Sequence, residues 1–342
     1  MDLSARLTVL GSLNMDISVT VAALPGPGAT VLGGAAAFAP GGKGANQAVA
    51  AARLGAPSGI GVRMVGCVGD DDFGRALRSA LVAEAVDDAS VRTVPGVPSG
   101  IAMITVDHAG ENMITVAPGA NREVGAAEVA ATGGGAPSVP PAPPAPSVPP
   151  TPPVLVISAE VPVPAITAAL AACADREPRP LTVLNLAPAP PEAAGLVAAR
   201  PDWLVVNEPE AGAVLGRPVS GLHAAAVAAA DLVAAGAANA VVTAGAAGAA
   251  YHRGNDGQGR TVAAFLVNAV DTVGAGDTFV GALAVALAAG IPPVEAVTAA
   301  AAAAAAAATR PGTQAGMPRP ADVHAATGYD WPLPVTETGK IN

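Results

Sequence analysis

Apolar residues follow two rhythms along this chain. Short unbroken runs at Leu7 to Leu10, Gly61 to Val68, Val154 to Ser158, Leu181 to Leu184, Trp203 to Val206 and Ala240 to Thr243 have the length of buried strands. Stretches with helical spacing lie between them: Gly44 to Leu54, Phe73 to Ala85, Val163 to Ala174, Glu208 to Leu215 and Leu222 to Ala235. Asp277 to Ala289 and Pro293 to Thr309 predict two more helices. Strand and helix in alternation predict βαβ units around a mainly parallel sheet. Ile101 to Val106 and Met113 to Val116, joined by the polar residues 107–112, read as a hairpin. It is too small for a domain and suits a flap over a pocket.

One segment fits neither rhythm. Ten of the 21 residues in 133–153 are proline and none is charged. Proline blocks helix and removes backbone donors, so this stretch reads as an extended inserted loop. Half of the 342 residues are apolar, enough to bury a large core, and the net charge of −10 argues against a nucleic-acid footprint. Cys67 and Cys173 do not make a disulfide framework. The N-terminus has no signal-peptide pattern, and the alanine run 299–308 is too short to span a bilayer. The default expectation is a cytoplasmic protein without a membrane partner.

Three segments carry candidate chemistry. In Asp271-Thr-Val-Gly-Ala-Gly-Asp277, glycines precede a predicted helix, so free amides and the helix N-terminus suit an anion. Asp277 lies in the first turn, placed to act as a general base, although a capping Asp beside packing glycines has the same look. In Gly41-Gly42-Lys43-Gly44-Ala45-Asn46, the lysine is not followed by Ser or Thr, so this is no P-loop. Lys43 and Asn46 suit hydroxyl groups, or simply a surface loop. Gly11-Ser12-Leu13-Asn14-Met15-Asp16 ends the first predicted strand, where ligands of parallel sheets bind, although taken alone it reads first as an Asx turn. Asp70, Asp71 and Asp72 read as a solvated loop, and the four histidines are scattered.

These three motifs, in this order, resemble the ribokinase-like sugar kinases of the PfkB family, from about Leu7 to Pro318 and broken only at the proline-rich insert. The resemblance implies a three-layer α/β/α fold with a mainly parallel central sheet. It implies a single domain over 1–342, with a small β-sheet lid from about 15–39 and 98–118 that also forms a homodimer contact. The implied activity is ATP-dependent phosphorylation of D-ribose at its 5-hydroxyl. The alternatives are another small sugar or nucleoside, such as fructose, 2-keto-3-deoxygluconate or adenosine, or a non-catalytic sugar sensor.

Roles follow by position. Asp277 is the implied base, and Gly274, Ala275 and Gly276 the anion hole for the γ-phosphoryl group. Asn14, Asp16, Gly42, Lys43, Asn46 and Glu160 are implied to hold the sugar. Asn207 and Glu210 are expected near Mg²⁺ and the phosphates, and Thr243, Gly245 and Gly248 at the nucleotide. Asp271, Val273, Ala307, Arg310, Gly312 and Gly316 fall where the family binds an activating monovalent cation, usually K⁺. Gly316 replaces a customary Ser, and Ala301 a polar residue near the adenine.

Overall fold

The computed structural model describes residues 5–133, 152–255 and 257–333. All but the ends of the proline-rich stretch 133–153 therefore lies outside the described residues. In chain order the first half contains β1 (Ala5–Leu10), β2 (Asn14–Val21), β3 (Ala37–Gly41), α1 (Lys43–Gly55), β4 (Gly61–Gly69), α2 (Asp72–Ala83), β5 (Val86–Val94), β6 (Gly100–Asp107), β7 (Asn112–Ala117) and α3 (Ala126–Ala131). Next come β8 (Val154–Ser158), α4 (Val163–Ala174), β9 (Leu181–Asn185), α5 (Ala193–Ala198), β10 (Trp203–Asn207), α6 (Glu208–Leu215), α7 (Gly221–Ala234) and β11 (Asn239–Thr243). The chain continues through β12 (Ala249–Arg253), β13 (Gly259–Val262), α8 (Ala275–Ala288), α9 (Pro293–Ala308), α10 (Thr313–Gly316) and α11 (Pro320–Thr327).

Successive strand residues face opposite ways, and here both faces are covered. Leu7, Val9, Val154, Val156 and Val205 pack with residues of α1, α8 and α9. Leu10, Leu155, Ile157, Leu204 and Val206 pack with residues of α4, α5 and α7. The result is helix, sheet and helix in three layers. The sheet has nine strands in the order β13-β12-β11-β10-β9-β8-β1-β4-β5. It is parallel from β5 to β11, and only β12 and β13 run antiparallel. The alanine run in α9 lacks bulk but is well used: Ala299, Ala300, Ala302 and Ala303 are fully buried. Small side chains let α9 lie close against α8.

β2 leaves the main sheet at once and joins a second sheet, ordered β3-β2-β6-β7. The hairpin expected at 101–116 forms within it as the antiparallel pair β6 and β7. Asp71 departs from the solvated loop expected of it. It caps α2, accepting from the Gly74 amide at 2.7 Å, and also accepts from the Ser99 amide at 2.8 Å and hydroxyl at 2.6 Å. Burial alone would raise its carboxyl, but these bonds outweigh it and hold the group below its usual range. Ser99 immediately precedes β6, so this carboxylate ties the small sheet to the main body.

Candidate active site

The site forms where β1 ends and the chain crosses to the second sheet. Gly42 heads α1 with φ 88°, a conformation that favours glycine. Its neighbour Gly41 lies over Asp16: a Cβ at Gly41 would stand 2.2 Å from Asp16 Oδ2. The turn therefore holds Lys43 within electrostatic reach of Asp16. Glu160, just after β8, ties three segments together. Its Oε2 accepts from the Ser12 hydroxyl at 2.6 Å, the Lys43 amide at 3.2 Å and Asn14 Nδ2 at 3.5 Å.

Asn121 completes this corner. Its Nδ2 donates to Asn14 Oδ1 at 2.8 Å and to the Leu13 carbonyl at 3.1 Å, while its Oδ1 accepts from the Leu13 amide at 2.9 Å. Asn14 is thereby turned with its NH₂ toward Glu160. Sequence reading passed over Ser12 and Asn121 because nothing in their local pattern marks them.

Asp277 sits in the first turn of α8, buried, behind Gly274 at φ 79°. Its Oδ2 accepts from Asn46 Nδ2 at 2.9 Å and its Oδ1 from Gln47 Nε2 at 3.1 Å. Asn46 Oδ1 accepts in turn from Gln314 Nε2 at 3.0 Å, so this amide is engaged at both ends. It thus supports Asp277, and its second N–H is not used by either bond. Gln47 Nε2 also donates to Asn185 Oδ1 at 2.8 Å.

The charges interact strongly. Burial pushes the Asp16 carboxyl up to about 7, with Glu160 and Asp277 adding to the rise and Lys43 opposing it. The Lys43 ammonium is held above its usual range chiefly by Asp277, then by Glu160, Glu210 and Asp16, against the opposing effect of burial. Burial raises Glu210 as well, and Asp277 adds to the rise. One lysine thus serves four carboxylates: Asp16 in β2, Glu160 after β8, Glu210 in α6 and Asp277 in α8.

Beside Asp277 lies a cavity of ≈ 540 Å³ whose walls include Asn207, Thr243, Gly245, Gly248 and Gly276. Phe265 and Ala301 supply apolar wall. The volume and mixed lining suit a small organic ligand. Asn207 and Glu210 also form a reciprocal cap on α6: the Glu210 amide donates to Asn207 Oδ1 at 2.9 Å, and the Asn207 amide to Glu210 Oε2 at 2.8 Å. A larger cavity, ≈ 710 Å³, opens at the opposite ends of β9, β10 and β11 and contains none of the residues singled out in the sequence.

The residues expected at a monovalent cation also gather. Asp271 accepts from the Val273 amide through Oδ1 and from the Gly312 amide through Oδ2, both at 2.9 Å. A Cβ at Gly316 would meet the carbonyl oxygens of Arg310 at 3.1 Å and Ala307 at 3.5 Å. Clustered carbonyls beside a carboxylate are the hard oxygen donors such a cation takes. The Ala307 oxygen already accepts from the Arg310 amide at 3.1 Å, so only its second lone pair is available.

Comparison with known proteins agrees with this geometry. The family model described as pfkB family carbohydrate kinase matches residues 4–320. A ribokinase from Schizosaccharomyces pombe is 34% identical over 291 residues, 84% of this chain and 86% of that one. A ribokinase from Haemophilus influenzae is 35% identical over 312 residues, 91% and 95% of the two chains. Among solved structures, ribokinase from Thermotoga maritima superposes with a TM-score of 0.78 at 30% identity, covering 93% of this chain and 98% of that one. Arabidopsis thaliana ribokinase complexed with ribose and ATP gives 0.77 at 26% identity, covering 95% and 99%. The chain belongs to the pfkB family of carbohydrate kinases.

Proposed function

We propose that this enzyme transfers the terminal phosphoryl group of ATP to the 5-hydroxyl of D-ribose, giving D-ribose 5-phosphate and ADP. The observation that carries this is the meeting of Asp277, at the head of α8, with the Asn14, Asp16, Lys43 and Glu160 corner on one side and the cavity at Gly276 on the other. The named complex of a similar ribokinase with ribose and ATP supports the same pairing of ligands.

In this reading Asp16 and Asn14 bind vicinal hydroxyls, and Lys43 and Glu160 fix their orientation. Asp277 accepts the proton of the 5-hydroxyl as its oxygen attacks. The amides of Gly274 and Gly276, joined by that of Ala275 once it leaves the Thr272 carbonyl to which it donates at 3.2 Å, act with the positive end of α8 to stabilise the charge spread over the moving phosphoryl group. The nucleotide takes the ≈ 540 Å³ cavity, with its base against Ala301 and Phe265. Glu210 and Asn207 would hold Mg²⁺, which neutralises phosphate charge, although the cap they form must loosen to release oxygen donors. The loop of Asp271, Val273, Ala307, Arg310, Gly312 and Gly316 would hold K⁺, which steadies the head of α8.

The second sheet is read as the lid, excluding water during transfer. Phe38, Met103, Met113, Ile114 and Val116 leave apolar surface exposed on it, which supports a homodimer through this sheet. No helix among the described residues is long and apolar enough to cross a membrane. The soluble sugar and nucleotide it uses fit a cytoplasmic enzyme, and the net charge of −10 disfavours a nucleic-acid partner.

The test is ADP release with ATP and a panel of ribose, fructose and adenosine, with and without K⁺. Ribose is expected to give the highest kcat/KM, with phosphate on its primary hydroxyl. Faster turnover of fructose or adenosine would reassign the substrate, and no turnover of any would leave a sugar sensor.

Two results bear on the sugar corner. Asp16 accepts hydroxyl hydrogens best when ionised, and its carboxyl ionises at about 7. Ribose KM should therefore climb as pH drops below 7, approaching about tenfold per unit, and in Asp16→Asn this slope should vanish. The same carboxyl binds its proton more tightly folded than unfolded. The fold therefore loses stability as pH rises from 3.8 to about 7, and unfolding titrations of Asp16→Asn should lack that loss. Asn121→Ala frees Asn14 and orphans both polar groups of Leu13. Ribose KM should rise about tenfold and urea unfolding should show a loss of about 2 kcal/mol, with kcat changed less than about threefold.

A further inference from the structure

An amide side chain has a donor end and an acceptor end, and a carboxylate tolerates only the donor. Something must therefore keep the NH₂ of Asn46 facing Asp277. Gln314 does so from behind: its Nε2 donates to Asn46 Oδ1 at 3.0 Å. Both side chains are buried, Asn46 5% and Gln314 7% exposed, so water cannot replace either bond. With the amide turned over, Asn46 would set its oxygen against Asp277 and its NH₂ against the NH₂ of Gln314. Two repulsions at once make the observed orientation the one allowed.

Gln314 is itself held firmly. Arg53 Nη1 donates to the carbonyls of Gln314 and Met317, each at 2.7 Å, and Arg53 Nη2 donates to Glu84 at 2.6 Å. Arg53 belongs to α1, the helix that also carries Lys43, Asn46 and Gln47. On its other side α10 abuts the head of α8, since a Cβ at Gly274 would stand 2.8 Å from Thr313 Cγ2. Gln314 thus sits in the angle between the two helices that supply the site.

We infer that Gln314 is a positioning residue for phosphoryl transfer: by donating to Asn46 it keeps that amide turned so as to hold the Asp277 carboxylate toward the attacking hydroxyl. This rests on the reading of Asp277 as the base. Gln314→Leu removes the donor at similar volume. Gln314→Glu keeps the shape but presents an acceptor, which draws the Asn46 NH₂ away from Asp277.

Turnover should fall about tenfold in Gln314→Leu and about a hundredfold in Gln314→Glu, with KM for sugar and ATP within about threefold. If packing were the only role, glutamate, the closer match in shape, would be the milder change. That ranking overturns the inference, and so does wild-type turnover in Gln314→Leu. Should the glutamate variant not fold, a double-mutant cycle decides alone: in an Asn46→Ala background, Gln314→Leu should cost less than about twofold more. An equal cost with and without Asn46 refutes it. Rates are taken with whichever sugar the wild-type protein phosphorylates fastest, so a wrong substrate leaves the ranking readable. An Asp277→Asn variant with full turnover would instead fault the base assignment itself.

Discussion

Asp277→Asn should lower kcat by about two to four orders of magnitude, the range a positioned general base contributes. The substitution is nearly isosteric, but it changes two things at once. An amide cannot take up the hydroxyl proton, so attack must proceed from a neutral alcohol. It also brings an NH₂ to a place where two NH₂ groups already point inward, those of Asn46 and Gln47. One neighbour must turn away, and Gln47 has little freedom because its Nε2 is also held by Asn185. Ribose binding, measured by calorimetry, should stay within about fivefold, because the sugar contacts proposed for Asn14, Asp16 and Glu160 are untouched, and that separation of binding from turnover marks a chemical role. An unchanged kcat would show that another group takes the proton.

Gly276→Pro should lower kcat by about 10²–10³-fold, the usual loss for one donor of an anion hole. Proline deletes a single N–H, and the first turn of a helix is where it does least structural harm, because amides there lack intrahelical acceptors. Gly276 is the second residue of α8 and lines the ≈ 540 Å³ cavity, with open space where a Cβ would stand. Circular dichroism and the melting temperature should therefore change little. A kcat within about threefold of wild type would place the transferring phosphoryl group elsewhere.

How far the sequence predicted these features depends on what each residue touches. The strands of the main sheet announce themselves because both faces are buried, so β8 and β10 are unbroken apolar runs. β5 escapes that reading: VDDASVRTV is an edge strand with only Val86, Val91 and Val94 buried, and its two aspartates hide the pattern. β2 escapes it because Asn14 and Asp16 look like turn residues, although both stand within a strand paired to Gly100 and Ala102. The candidate reacting groups stand out because they sit in glycine-rich motifs that need no partner to be recognised. Their supports are not. Gln47, Asn121, Asn185 and Gln314 meet their partners across separations of 107 to 268 residues, and buried amides look like any others until the fold closes.

Where α1 crosses α8, a Cβ on Gly281 would stand 2.7 Å from the Gln47 carbonyl oxygen, so the two helix backbones touch. The gap between Lys43 and Asp277 is therefore set by this close crossing, while Asn14 and Asp16, at the rim of the proposed sugar corner, belong to a separate, more exposed sheet. An engineer seeking a different acceptor could redraw that rim freely and leave the chemistry intact. A single added methyl at the crossing would detune every substrate alike.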